Sequence, residues 1–164
     1  MKNNGFSLIE LMTVMAILSL LTAIGLPGYQ SFRVKANNAS ALSDMHTIQI
    51  NQAIFYGEHA QYAPYLNTDR SNSGGLNKTI NLSAGGTAIF KLLSLNKSVE
   101  SMVIVDARGQ FAIAAVKSLG GNIIIAEELE QATVPMKKTS SATLVASDVP
   151  ASTSGVDLSS WTVW

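Results

Sequence analysis

The 164-residue sequence supplies one domain's worth of chain, plus whatever its N-terminal segment does outside that domain. It is 47% apolar and 13% charged, with Lys+Arg equal to Asp+Glu, so net charge gives no reason to expect a nucleic-acid or acidic partner. With no cysteine it can form neither a disulfide framework nor a thiolate metal site. Outside the first segment no apolar run approaches ~18 residues, so it holds at most one helical membrane span.

The first predicted element is the apolar run from Phe6 to Leu26. As a helix it crosses ~30 Å of hydrocarbon. Three readings fit residues 1–28. One is a plain transmembrane anchor. Another is a secretory signal cut after Ala23-Ile24-Gly25, against which stand Lys2 as the only basic residue of the n-region and Glu10 near the start of the apolar run. The third places a processing site at Gly5-Phe6 and keeps the helix in the mature chain.

Glu10 needs compensation, because a carboxylate at the middle of a span costs on the order of 3 kcal/mol. Ser7-Leu8-Ile9-Glu10 fits the S-x-x-E capping box, in which the glutamate returns to the N-cap amide near the positive end of the helix dipole. That accounts for it with no function. If the chain is cut after Gly5, the new amine of Phe6 lies one turn from Glu10, and in a bundle each Glu10 can pair with a neighbour's amine. Such a pair adds little net stability, but leaving one partner alone is costly, so it dictates register.

Gly5-Phe6-Ser7-Leu8-Ile9-Glu10-Leu11-Met12, followed by an apolar helix, resembles the class III leader and N-terminus of type IV pilins and pseudopilins. The likeness continues through Ala23 to Gln30 and into residues 31–45. It implies that a prepilin peptidase removes residues 1–5 and methylates the Phe6 amine, and that Glu10 serves subunit assembly. It also implies an inner-membrane precursor handled by a pilus assembly machinery, and a homopolymer outside the cell.

Beyond the membrane the helix is expected to continue over residues 29–58. At 100° per residue, Val34, Ala41, Met45, Ile48 and Phe55 form one stripe, and Tyr29, Phe32, Ala36, Ala39, Ile50 and Ile54 another roughly opposite. One stripe suffices for packing on a head. The second, with Tyr29, Phe32, Ile50 and Ile54 its large members, suits packing on neighbouring subunits. A helix from Phe6 to about Gly57 is some 75–80 Å long, a projecting spine rather than part of a compact domain. Pro27, between Gly25 and Gly28, is expected to kink or locally open it.

Residues 59–164 read as a β-rich head. His59 to Asn77 is a surface loop by its Pro, Gly, Asn and Ser content, and Thr87 to Leu95 is ambiguous between helix and strand. Ser101 to Asp106 and Gln110 to Lys117 form an expected hairpin across Ala107-Arg108-Gly109. A third strand, Asn122 to Glu127, follows Gly120-Gly121. The fold class is therefore α+β: a long N-terminal helical spine packed on a small antiparallel sheet. A Ser/Thr/Ala-rich stretch from Thr139 to Ser160 precedes Trp161-Thr162-Val163-Trp164, whose tryptophans are expected to pin a last strand.

No catalytic constellation is present. His46 and His59 lack the i, i+4 partner of a zinc helix, and the Gly-Gly pairs lack phosphate-loop spacing. Glu127, Glu128 and Glu130 form the only acidic cluster, read as a charged strand end rather than a calcium site. Asn-x-Ser/Thr at Asn38, Asn77, Asn81 and Asn96 is a weak glycosylation signal. The expectation is a structural subunit, a type IV major pilin, with no catalytic residue, metal, cofactor or nucleic-acid partner. The alternatives are a pseudopilin of a type II secretion system and, more remotely, a membrane-anchored or exported enzyme. Many major pilins staple the C-terminal part of the head with a disulfide; this chain cannot, so its head must hold by packing or by contacts within a filament.

Overall fold

A single helix, α1 (Leu8–His59), makes up nearly a third of the chain and is about 78 Å long at 1.5 Å per residue. The computed structural model describes residues 5–93, 95–131 and 134–164. Residues 1–4, with Lys2 and most of the expected leader, lie outside the described residues. The helix is assigned without interruption through Pro27. It ends two residues beyond Gly57, where Ala60 turns left-handed (φ 51°) and its N–H closes on the Tyr56 carbonyl at 2.7 Å. The His59 ring lies 4.5 Å from that of Phe55, and this packing accompanies the extra turn. Gln52, fully buried, then clasps the returning chain: its amide donates to the Ala63 carbonyl at 2.8 Å and accepts the Ala63 N–H at 2.9 Å. Both polar groups of that peptide are thereby satisfied inside the core.

Two antiparallel sheets follow. β1 (Leu76–Asn81) and β2 (Thr87–Leu92) form a hairpin of their own. β3 (Val99–Val105), β4 (Ala112–Ser118), β5 (Ile123–Glu128), β6 (Met136–Thr139) and β7 (Thr162–Val163) form a five-stranded meander in chain order. The fold class is α+β, a long apolar helix packed on antiparallel sheet. The expected loop before Asn77 instead ends in β1, and the ambiguous Thr87 stretch is a strand. The expected hairpin forms, with Val105 opposite Ala112. Its turn is built by Asp106, whose carboxylate accepts the N–H groups of Arg108, Gln110 and Phe111, while Gly109 takes φ 70°.

The sheet buries both faces. On the helix side Ala41, Met45, Ile48 and Phe55 meet Val99, Val103, Ala112, Ala114, Val116 and Ile125. On the other side Met102, Ile113, Ala115, Ile124 and Ala126 are covered by Leu144, Val149 and Leu158 of the Ser/Thr/Ala-rich stretch and by Trp161 just after it. That stretch is thus a strap, and it explains why every residue of β4 is buried. Two carboxylates hold it: Glu100 accepts the Leu144 N–H at 2.6 Å and Glu128 the Leu158 N–H at 2.9 Å. Each bond lies beside a leucine plug whose burial contributes roughly 1.5–3 kcal/mol. Trp161 is buried, with Lys138 over its ring, and β7 completes the sheet edge. Packing and carboxylate–amide bonds thus hold a layer that carries no disulfide.

The Gly120-Gly121 turn fixes the head to the spine. A Cβ at Gly120 would lie 2.2 Å from the Asn37 amide, and one at Gly121 2.3 Å from that of Asn38. Asn38 bonds Asn122 at 2.9 Å across this contact. Asn38 is buried, which argues against its use as a glycan acceptor. Below it the spine stands clear of the head.

Candidate functional site: the exposed spine

From Phe6 (83% exposed) to Phe32 (71%) none of the described residues covers the helix. Leu8, Ile9, Leu11, Met12, Val14, Ile17, Leu20 and Ile24 are all open, and the described chain holds one helix long and apolar enough to cross a membrane. An unbroken apolar rod outside the core cannot remain in water. It needs lipid or other helices.

At its start Ser7 has extended geometry (φ −72°, ψ 142°) and caps the helix. Glu10 Oε2 accepts the Ser7 N–H at 2.9 Å, which is half of a capping box. The Ser7 hydroxyl makes no cap bond. The cap reading of Glu10 is therefore geometrically real, and its carboxylate is exposed. Gly5 and Phe6 lie in open chain before the helix, where a peptide bond is accessible. A Cβ at Gly5 would meet nothing, so folding sets no demand for glycine there.

Higher up, the two stripes separate as their spacing predicts. Ala41, Met45, Ile48 and Phe55 are buried on the head and Val34 is half-buried, whereas Tyr29, Phe32, Ile50 and Ile54 stay 56–71% exposed. Apolar side chains thus continue from the bare rod onto the outer face of the head-bound helix. Ser19 and Thr22 turn their hydroxyls back onto the Met15 and Leu18 carbonyls, leaving no unmet donor on an apolar surface.

Residues 1–26 match the family described as "Prokaryotic N-terminal methylation motif". The chain is 33% identical over 66 residues to the "Type IV major pilin protein PilA" of Myxococcus xanthus, covering 40% of this chain and 30% of that one. It is 32% identical over 104 residues to the "Type IV major alpha-pilin" of Moraxella bovis, 62% and 61% of the two chains. The chain opens on this N-terminal motif and is similar to type IV pilins. It is also 52% identical over 44 residues to the "Prepilin peptidase-dependent protein D" of Escherichia coli, 27% of each chain. The chain matches between about a quarter and three-fifths of the length of these relatives.

The acidic cluster of the head is not the charged edge that the sequence suggests. Glu127 and Glu128 are buried, because β5 lies inside the sheet between the helix and the strap. Glu127, Glu128, Glu130, Gln131, Gln49, Ala53 and Tyr62 line a groove of about 540 Å³ beside the helix. One carboxylate oxygen of each of the three glutamates has no hydrogen-bond partner among the described residues. Burial pushes the Glu127 carboxyl up, partly offset by the Gln49 amide and by His46. Burial likewise raises Glu130, with the Ala112 N–H opposing. Among the described residues no group of three His, Asp or Glu is placed to hold a metal ion.

These shifts have a sign. A carboxyl raised on folding contributes stability that is fully present below its unfolded value and is lost as pH rises through its folded value. Glu127, Glu130 and Asp44, which burial also raises, therefore favour mildly acidic solution. Asp69, held below the usual range by the Leu66 N–H and Lys78, opposes them only as pH falls below about 4. Asp106 behaves alike: burial pushes it up, but its backbone N–H donors together outweigh that and hold it low. The detergent-solubilised chain is expected to melt higher at pH 5 than at pH 7.5. Glu127→Gln should raise the pH 7.5 melting temperature by roughly 2–4 °C and flatten the profile. A Glu127→Gln melt that tracks wild type at both pH values would contradict this.

Proposed function

We propose that this chain is the major structural subunit of a type IV pilus, not an enzyme, and that it polymerises through its N-terminal helix. The observation that carries the reading is the bare apolar rod continued by the exposed Tyr29, Phe32, Ile50 and Ile54 stripe. In the precursor, lipid covers the rod; in the filament, the rods of other copies do. The inner membrane holds the precursor, and a prepilin peptidase cuts between Gly5 and Phe6 and methylates the Phe6 amine. An assembly machinery then draws subunits into an extracellular filament. Glu10 pairs with the Phe6 amine of a neighbour and sets axial register. Pro27, which removes one backbone bond, is the point where the spine kinks or opens on packing. The "prepilin peptidase-dependent" relative supports the processing step.

Mass spectrometry of the membrane-borne and sheared surface forms tests this. A chain beginning at N-methyl-Phe6, recovered as long filaments by electron microscopy, is the expected result. A mature chain beginning at Met1 or Leu26 overturns it. Processed chain that never leaves the envelope moves the reading to a secretion-system pseudopilin.

A further inference from the structure

Among the described residues that line the acidic groove there is no Lys, Arg or His. His46, which acts on Glu127 through its charge, is bonded to Gln49. Glu127 is 94% buried by residue area, with one oxygen unmet at the groove. A buried carboxyl placed so is met either by a proton or by a cation from elsewhere, and only the cation keeps its charge. Between Leu11 and Ser43 the only charged side chains are Arg33 and Lys35, both exposed. Neither bonds any described residue, although Lys35 lies 5.9 Å over the Phe32 ring.

Helix arithmetic chooses between them. With Gln49 at zero and 100° per residue, Ala53 stands at about 40°, the exposed Phe32/Ile50 stripe centres near 120°, and the head-bound face near 280°. The groove therefore opens on one flank of the spine. Lys35, at about 40°, is on that same flank, and Arg33, at about 200°, is on the opposite one. Parallel copies that all turn the exposed stripe to a common axis meet flank to flank, so the residue that enters a neighbour's groove comes from the far flank. Within one copy Arg33 lies about 24–30 Å below Gln49 and Ala53 on a single helix, so it cannot reach its own groove.

We propose that the Arg33 guanidinium of a second copy seats against Glu127 and Glu130, with the two copies offset along the spine by about 24–30 Å. This rests on the subunit reading above. The contact is heterologous and does not close, so it propagates. It gives each copy one donor flank and one acceptor flank. Guanidinium suits the task because its planar fork meets two carboxylates at once.

The absence of cysteine makes the test clean. In filaments of Arg33→Cys/Gln131→Cys chains, mild oxidation should give a ladder of cross-linked oligomers, while each single cysteine gives at most dimers. Lys35→Cys/Gln131→Cys filaments should give no ladder. Arg33→Glu, an exposed change with no partner to lose, should lower sheared filament yield by roughly tenfold or more with N-terminal processing intact. Adding Glu130→Arg should restore part of it. Wild-type filaments alongside an unladdered Arg33/Gln131 pair, or normal yield from Arg33→Glu, overturn this contact and leave the subunit reading standing. No filaments from wild type overturns both.

Discussion

Gly5→Leu is expected to leave the chain uncut, with Lys2 still attached, and to abolish surface filaments. Nothing inside the fold asks for glycine at this position. A Cβ would meet no atom within 4 Å, and the residue lies in open chain before the helix. A leucine there costs the folded chain nothing, so whatever changes reports on an enzyme that must close around the Gly5–Phe6 bond. Filament loss of about a hundredfold or more should accompany a membrane level close to wild type, because the apolar rod still inserts. Immunoblots resolve the longer uncut form, and electron microscopy counts the filaments. Gly25→Ala makes the control: its Cβ also meets nothing, and it stands outside the cut. Processed, filament-forming Gly5→Leu would remove prepilin-type maturation from the account.

Features with a local cause are those the sequence discloses. Ala41, Met45, Ile48 and Phe55 recur at helical spacing, so the buried face of α1 follows from 3.6-residue periodicity. β3, β4 and β5 are dense in Val, Ile and Ala and are punctuated by Gly109 and by Gly120-Gly121, which marks their turns. β1 is harder to see: LNKTIN offers only Leu76 and Ile80 as buried apolar residues, and its strand state depends on pairing with β2. The strap is harder still. Leu144, Val149, Leu158 and Trp161 follow no period, and they are buried because the outer face of a distant sheet needs cover.

The same cause accounts for the acidic cluster. IIIAEE reads as a strand with a charged end, and periodicity cannot say whether that end lies at an edge or under another layer. Here β6, the strap and the spine all pack around β5, so the glutamates face an internal groove. The cue that was available is compositional: after Glu130 only Asp148 and Asp157 remain as acids, and no basic residue stands within the cluster to neutralise it. At the N-terminus the reverse holds. On the proposed function, Gly5, Phe6, Ser7 and Glu10 would be met by a peptidase and by neighbouring chains as linear sequence, so their order would carry the information without any tertiary context.

Glu10→Gln separates the two roles that geometry leaves to this carboxylate. As a cap, Glu10 accepts the Ser7 N–H at 2.9 Å, and a glutamine oxygen can accept the same proton. A cap of this kind contributes about 1 kcal/mol, so the substituted chain should fold and insert like wild type. As an assembly residue, Glu10 also supplies charge. Inside a packed array of apolar rods, the Phe6 amine of the neighbouring copy then keeps its positive charge with no counter-ion. Breaking one side of a buried pair costs about 3–5 kcal/mol, and the cost recurs at every subunit added. Processing should continue, since the Gly5–Phe6 bond precedes the helix, while sheared filament yield falls by roughly a hundredfold or more. Co-expression with wild-type subunits should restore part of the yield, because a substituted subunit still offers its own amine to a wild-type Glu10. Mature, methylated chain retained in the membrane is the state to find by mass spectrometry. Surface filaments at wild-type level from Glu10→Gln alone would return Glu10 to the role of a cap and leave the register of the spine to its apolar contacts.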